Sequence, residues 1–207
     1  MPKTKMDKRL DKYLDSEARR KANAAKTRQR NAAKKKVYLS SSDYMLFCDT
    51  CFEFYIRYRD NWVDTLDGKI FRQGDFEGYH ACHYISRANR STRYLDINCH
   101  GQSQNYNFTM SNSNPNPILR RNMENKYRNF LVRKYGEDDV KALEAMNGQE
   151  CKVSEYDWQV LARDLYGKAA RQDSLRLEQR LLKVFRWSKD RRTLELIREK
   201  IVEVCNG

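Results

Sequence analysis

Residues 79–107 read YHACHYISRANRSTRYLDINCHGQSQNYN, and this stretch decides the expected fold. It contains all three histidines of the 207-residue chain, which are His80, His83 and His100. It ends in an amide-rich run that can begin a helix. A single histidine beside tyrosine in a half-buried strand is more often structural than catalytic. A concentrated set of polar ligands in a basic chain instead favours metal-assisted phosphodiester chemistry.

The spacing of His83, Asn98 and Asn107 resembles the HNH, or ββα-metal, nuclease motif, with asparagine allowed at the last position. From this resemblance we expect His83 to end the first strand, Asn98 to lie in the second strand and Asn107 to open the helix. The resemblance implies that the neutral imidazole of His83 deprotonates the attacking water and that the Asn98 amide holds this imidazole in the right tautomer. One metal ion, with Asn107 as a ligand, would stabilise the scissile phosphate and the leaving oxygen.

Three short motifs of the sequence are similar to motifs of the NinG family of phage recombination nucleases. They are FYIRYRD at 54–60, HYISR at 83–87 and TRYLDINCHGQ at 92–102. Each motif alone is weak evidence for the family, but the three together are specific. The resemblance covers about residues 41–147. It implies a metal-dependent, structure-specific DNA endonuclease that acts on branched recombination intermediates, either Holliday junctions or D-loops. The implied cofactor is one divalent cation, Mg²⁺ or Mn²⁺.

The chain departs from the family pattern at the second metal ligand. Related nucleases often place a carboxylate beside the catalytic histidine, whereas this chain has His80 and Cys82 there. We assign His80 as the metal ligand, with Cys82 or His100 as alternatives, and we group His100 with His83 and Asn98 as catalytic. Loss of the carboxylate leaves open a catalytically decayed accessory protein that only binds nucleic acid. A homing or restriction-type enzyme would need a sequence-reading module, which we do not find.

A second departure concerns zinc. Alignment on FYIRYRD places the two cysteine pairs of the family's zinc knuckles over residues 64–68 and 103–106, where this chain has no cysteine. A structural zinc site needs four Cys or His ligands in nearly tetrahedral geometry. We therefore expect no structural zinc.

The charge of the chain favours a polyanionic partner. Lysine and arginine number 41 against 28 acidic residues, which gives a formal charge of +13. Residues 1–37 hold 14 of the basic residues and four acidic ones, and we expect a basic arm that follows DNA phosphates without sequence preference. The alternative is a charged helix that only aids solubility. The DNA-binding candidates are Lys34, Lys35 and Lys36 in this arm and Arg87, Arg90 and Arg93 in the loop of the ribbon.

Membrane and disulfide chemistry are not expected. No apolar run approaches the roughly 18 residues of a membrane span, and the N-terminus lacks the apolar segment of a secretory signal. We expect a cytoplasmic protein without a membrane partner. Cys48 and Cys51 form a CxxC, but apolar residues recur around them every three or four positions. We interpret them as core thiols of a helix rather than zinc ligands.

These observations predict an α+β fold in which a small ββα nuclease core is wrapped by helices and the whole is mainly helical. The predicted regions are an arm at 1–37, the nuclease core at 38–150 and a C-terminal helical region at 151–207. Predicted helices are 41–60, 118–135, 138–146, 154–171, 173–187 and 188–204, and predicted strands are 69–72 and 78–85. The apolar run from Leu175 to Phe185 either covers the core or pairs with another subunit, and we expect a homodimer.

Overall fold

The structure, a computed structural model, describes residues 39–110, 115–188 and 191–206, together with Glu17, Arg20, Lys21, Asn23, Ala24 and Lys26. The chain divides into two compact units, Met1–Tyr38 and Leu39–Gly207. Most of the predicted arm, including Lys34, Lys35 and Lys36, lies outside the described residues.

Helix α1, Ser41–Arg59, forms the centre of the main core. Its start is stabilised because the backbone N–H of Ser40 donates to the Asp43 carboxylate at 2.8 Å. Cys48 and Cys51 are both fully buried along it, together with aromatic neighbours. The predicted helix and the interpretation of these cysteines as core thiols are thus confirmed.

The ββα unit follows in the expected order. Strand β1, Tyr79–His83, pairs antiparallel with β2, Cys99–Ser103, and helix α2, Gln104–Met110, continues directly from β2. Two expected placements were wrong. Asn98 lies in a short 3₁₀ turn before β2 rather than in the strand, and Asn107 lies in the middle of α2 rather than at its start.

The predicted strand at 69–72 is reduced to a single bridge between Val63 and Ile70. The intervening turn needs Gly68 at a φ of 76°, a conformation that glycine adopts without strain. This segment nevertheless supports the sheet, because Thr65 donates its backbone N–H to the carbonyl of Gly101 at 3.0 Å.

Side chains at the end of α1 hold both strands. Arg57 donates from Nε to the carbonyl of Tyr79 in β1 at 3.0 Å. Arg59 donates to the carbonyl of Cys99 at the start of β2 at 2.8 Å. Asp60 accepts from the backbone N–H of Gly101 at 2.8 Å. Because a two-stranded sheet is only marginally stable alone, these bonds explain why FYIRYRD accompanies the ββα unit.

Helices α3, Pro117–Tyr135, and α4, Glu137–Ala145, form a second core cluster against the sheet. The Tyr127 hydroxyl of α3 donates to the carbonyl of Cys82 in β1 at 2.8 Å. This contact places α3 directly over the ββα unit.

The C-terminal helices complete the main core. Helix α5, Glu155–Ser188, is interrupted at Asp173, whose φ of −162° and ψ of 93° are not helical. Asp173 accepts from the backbone N–H of Arg176 at 3.0 Å and so caps the second half, as its sequence predicts. Helix α6 spans Arg191–Asn206.

Burial answers part of the question about the apolar run in α5. Leu177, Leu181 and Phe185 are fully buried and belong to the same core as α1, so most of the run packs on its own chain. Leu175 and Leu182 are 69% and 41% exposed. The fold is α+β and mainly helical with a small two-stranded sheet, as expected. Within the described part of the chain, no helix is both long and apolar enough to cross a membrane.

Candidate active site

A cavity of about 760 Å³ gathers much of the predicted site. It is lined by residues from α1, β1, the loops before and after β1, α2, α3 and α5, and the residue from α3 is Glu124. The side chains that carry chemistry are Glu53, His80, His83, Arg87, Asn107 and Arg180. Four of these were predicted as site residues, and Glu53 and Arg180 were not.

His83 ends β1, as predicted, and its ring is held in one tautomer. Nε2 lies 2.9 Å from the backbone carbonyl of Arg93, and because a carbonyl only accepts, Nε2 must carry the proton. The lone pair of the neutral ring is therefore on Nδ1. Nδ1 lies 3.8 Å from the sulfur of the buried Cys99, which is a weak contact.

Burial keeps this imidazole neutral. It lowers the pKa of His83 below its usual value, and the nearby Arg93 guanidinium acts in the same direction. The Arg93 carbonyl and the carboxylate of Glu53 oppose this shift without reversing it. At neutral pH the ring therefore has an unprotonated Nδ1 that can accept a proton.

His80 and Asn107 form a donor pair on the same cavity. The Asn107 side-chain nitrogen lies 3.1 Å from His80 Nδ1, and His80 Nε2 lies 2.9 Å from the carbonyl of Glu77. Nε2 therefore carries the proton, and Nδ1 presents its lone pair to Asn107. Because the oxygen and nitrogen of an amide have the same shape, turning the Asn107 amide over places its oxygen beside that lone pair.

With the amide turned over, this pair would offer one nitrogen and one oxygen to a divalent cation. A backbone carbonyl, here that of Glu77, fixes the tautomer of His80, as is usual for a histidine that binds a metal ion. Across the described residues, no three His, Cys, Asp or Glu side chains form a metal cluster. A cation held by this pair would have one imidazole nitrogen and one amide oxygen as protein ligands, and water would fill its remaining positions.

Glu53 supplies a carboxylate that the sequence interpretation missed. It lies one turn before Arg57 on α1, 3.4 Å from the Arg57 guanidinium, and its other oxygen lies 3.6 Å from Arg87. The available signal was the spacing of four residues between Glu53 and Arg57, which puts both on one face of a helix. Since Arg57 is tied to β1, that face also points toward His83.

Asn98 holds the loop rather than the imidazole. Its Oδ1 accepts from the backbone N–H of Ile85 at 2.7 Å, and its Nδ2 donates to the carbonyls of Ile85 and Thr92, each at 3.0 Å. Thr92 precedes Arg93, whose carbonyl orients His83. Asn98 thus acts on the histidine through the loop backbone, and the expected direct contact is not observed.

His100 lies in the core and not on the cavity. Its two ring nitrogens face the hydroxyls of Tyr127 at 3.2 Å and Tyr135 at 2.9 Å. Burial, followed by the charges of Arg59 and Lys134, lowers the pKa of His100 to about 2. The structure therefore gives His100 a packing position between the sheet and α3, and it does not place it with His83.

The three loop arginines differ in their surroundings. Arg87 lines the cavity and its side chain is 62% exposed. Arg90 is exposed but does not line the cavity. Arg93 is largely enclosed, because its Nε donates to the Asp49 carboxylate at 2.8 Å and a second nitrogen binds the other carboxylate oxygen. Its guanidinium is thus paired within the protein and acts on His83 only through its charge, whereas its carbonyl contacts the His83 ring.

The two segments that the resemblance aligns with zinc knuckles lie against each other. The backbone N–H of Ser103 donates to Asp64 at 2.6 Å. Asp67 hydrogen-bonds the Tyr106 hydroxyl, although burial is the main reason that the pKa of this tyrosine is raised. Hydrogen bonds thus connect the positions where the family pattern places metal ligands. The absence of structural zinc stays a prediction.

The fold and site define a mainly helical α+β protein whose ββα unit presents a neutral histidine and a histidine–asparagine donor pair to one cavity. The chain belongs to the NinG family: the family described as Bacteriophage Lambda NinG protein matches residues 2–173. This membership supports a bacteriophage origin. No curated protein and no solved structure matches the chain.

Proposed function

We propose that this protein is a metal-dependent DNA endonuclease that cuts branched recombination intermediates. The observation that carries the proposal is the presence of a neutral His83, with its lone pair on Nδ1, in the same cavity as the His80–Asn107 pair. The excess of basic residues fits a DNA substrate.

In this proposal, the residues of the cavity have separate roles in proton transfer, phosphate binding and metal binding. His83 accepts the proton of the attacking water at Nδ1, and its proton on Nε2 stays bonded to the Arg93 carbonyl. Arg87, at the mouth of the cavity, binds a phosphate oxygen through its planar guanidinium. His80 and Asn107 would hold the divalent cation, which supplies positive charge to the phosphate and the leaving oxygen when bound.

Preference for Holliday junctions or D-loops rests on the family resemblance, and action in the cytoplasm of a phage-infected host follows from it. A catalytically decayed DNA-binding protein is the second candidate. The observation that favours it is the small donor set, because His80 and Asn107 are not joined by a third His, Cys, Asp or Glu in a cluster of the described chain.

Cleavage of DNA by the purified chain tests the proposal. Labelled duplex, single-stranded and four-way-junction DNA are incubated with Mg²⁺, Mn²⁺ or EDTA. We expect metal-dependent cleavage, and we expect His83→Ala to reduce it by on the order of 10²–10⁴-fold with DNA binding retained. Thermal unfolding of each variant controls for loss of the fold. Cleavage by His83→Ala at the wild-type rate would remove His83 from the mechanism, and no cleavage by the wild type would favour the decayed protein.

We further propose that the active unit is a homodimer. Resolving a junction needs two incisions, and each chain contributes one His83, so two symmetry-related sites are the simplest source. Leu175 and Leu182, seven residues apart in the second half of α5, are two of the exposed apolar residues of the described chain and are the ones we assign to the contact. Light scattering on the wild type and on Leu175→Ser/Leu182→Ser is the test. A monomeric wild type that still makes both incisions would contradict the dimer.

A further inference from the structure

A second cavity, of about 830 Å³, adjoins the candidate active site. It lies between the loop at residues 72–77 and the second half of α5. Its wall contains four cationic side chains, Arg72, Arg176, Arg180 and Lys183. Phe76 and Arg180 line both cavities, so the two are neighbours separated by these side chains. We call the second cavity the basic groove.

Three of the four cations lie on one face of α5. Arg176, Arg180 and Lys183 are spaced by four and then three residues, which aligns them along a helix. All three lie beyond residue 173, outside the range matched by the family. The α5 side of the groove therefore lies outside the family match, whereas the loop at residues 72–77 lies within it.

In the part of the chain that the structure describes, the wall of the groove has more positive than negative charge, with four cations against the carboxylates of Asp75 and Glu77. Of its two acidic residues, Asp75 accepts backbone N–H bonds from Glu77 and Gly78 at 3.2 and 2.7 Å. Arg176 lies 3.5 Å from the Asp173 carboxylate. Among the described residues, the other three cations of the groove form no ion pair. A surface with this excess of cations attracts an anionic ligand.

Arg180 is the most constrained of these cations. Its guanidinium carbon lies 4.9 Å from the centre of the Phe76 ring, and that of Arg57 lies 5.3 Å from the same ring. Burial, and then the charge of Arg57, lower the pKa of Arg180. The carboxylate of Glu53, 3.4 Å from Arg57, offsets part of the repulsion between the two guanidinium groups. An anion bound beside Arg180 would offset more of it.

We propose that the basic groove binds the backbone phosphates of the DNA strand next to the phosphate held in the active-site cavity, and that Arg180 lies between the two. The identity of the ligand as DNA rests on the proposed function. The geometry requires a ligand with anionic groups repeated along its length, because the two cavities are adjacent and both present arginine.

Binding measured without cleavage tests this proposal. Fluorescence anisotropy of a short labelled duplex and single strand is recorded in EDTA at several salt concentrations, using the full chain. Each phosphate contact that is lost should flatten the slope of log K against log salt by about one unit on duplex DNA. We expect a flattening of about one for Arg180→Gln and about two for Arg72→Gln/Lys183→Gln.

Arg186→Gln is the matched control, because Arg186 is an exposed arginine of the same half of α5 and lines neither cavity. It should retain the wild-type slope. The double variant changes two exposed residues and so remains informative if Arg180→Gln is unstable. Wild-type slopes in both groove variants would overturn the proposal.

The outcome is separable from that of the proposed function. A wild type that does not cleave, combined with flattened slopes in the groove variants, would reject the nuclease and retain the groove. A wild type that cleaves, combined with unchanged slopes, would do the reverse. In a cleaving protein, we expect the double variant to raise KM with little change in kcat, because the groove binds DNA away from the reacting atoms.

Discussion

Replacing Asn98 by aspartate should make the stability of this protein depend on pH in a way that the wild type does not. The substitution keeps the size of the side chain and the acceptor for the Ile85 N–H. It replaces the Nδ2 group, which donates to the carbonyls of Ile85 and Thr92, by an oxygen. A carboxylate there would face two carbonyl oxygens at a fully buried position.

The size of the effect follows from these bonds. Leaving a buried hydrogen-bonding group unpaired costs about 1–3 kcal/mol. The Thr92 carbonyl still accepts from the backbone N–H of Leu95 at 3.2 Å, so the lost bond to the Ile85 carbonyl accounts for about 1–3 kcal/mol at neutral pH. The free energy of unfolding of a single domain is about 5–15 kcal/mol, so this loss is a large fraction of the stability. A protonated carboxyl can donate to one of the two carbonyls and recovers part of this loss.

The direction of the pH dependence follows from the difference in stability between the protonated and the ionised carboxyl at this position. Because the protonated form is favoured in the native state, the native pKa of the introduced carboxyl is raised above its unfolded value of about 3.9. The recovered stability is fully present below about pH 4 and is lost as pH rises to the native pKa. Each unit of that rise in pKa costs about 1.4 kcal/mol of unfolding free energy.

Urea unfolding of the wild type, Asn98→Asp and an exposed control, Asn125→Asp, between pH 4 and 7 measures this effect. The quantity compared is the free energy of unfolding of each variant relative to the wild type at the same pH. We expect the deficit of Asn98→Asp to grow with pH and that of Asn125→Asp to stay small. A deficit for Asn98→Asp that is equal at both ends of the range would refute the reasoning. Cleavage should fall as well, because the Arg93 carbonyl that orients His83 is next to Thr92.

Three further predictions concern the site, the arm and zinc. Because burial lowers the pKa of His83, the acid limb of the dependence of kcat/KM on pH should lie below the usual histidine value of about 6.5, and a limb above that value would exclude His83 as the base. Deleting residues 1–37 should reduce the salt slope of DNA binding by roughly 4 to 6, since an irregular arm would engage about half of its 14 cations; an unchanged slope would make the arm a solubility tail. The purified protein should contain less than one zinc per chain by elemental analysis and should keep its helical signal after chelation; stoichiometric zinc lost together with that signal would contradict this.

Local patterns in the sequence were sufficient for the helices, and the resemblance to the HNH motif supplied the order of the ββα unit. Capping residues such as Ser40 with Asp43 and the placement of Asp173 before Arg176 act within three residues, so they can be identified without knowing the tertiary structure. The position of His83 at the end of a strand was expected from the resemblance to the HNH motif, whereas the strand predicted from the residues extended to residue 85.

The errors concern residues whose partners are distant in sequence. His100 resembles a catalytic histidine in its spacing from Asn98, but it is hydrogen-bonded to tyrosines 27 and 35 residues further along. Arg93 resembles a phosphate ligand, but its guanidinium is paired with Asp49, 44 residues earlier. No local sequence pattern indicates such contacts. Nor does one indicate that the backbone carbonyl of Arg93 is the group that orients His83.

Glu53 and Arg180 were missed for a related reason. Each lies on a helix whose other positions are occupied by core residues, and each reaches the cavity because of how that helix packs. Spacing along the sequence can place Glu53 on the same face as Arg57, but it cannot say that this face borders β1. For Arg180 the contact depends on the packing of α5 against Phe76.

The bonds from Arg57 and Arg59 to the two strands have a consequence for the order of folding. They join residues 22 and 40 apart in sequence, and a ribbon of two five-residue strands has little stability before they form. We therefore expect the helices to be formed in the transition state for folding and the ribbon to be still unstructured there. Stopped-flow kinetics of Ala81→Gly should then show faster unfolding with a nearly unchanged refolding rate, and slower refolding would argue against this order. In this scheme, the geometry around His83 is acquired only after the rate-limiting step.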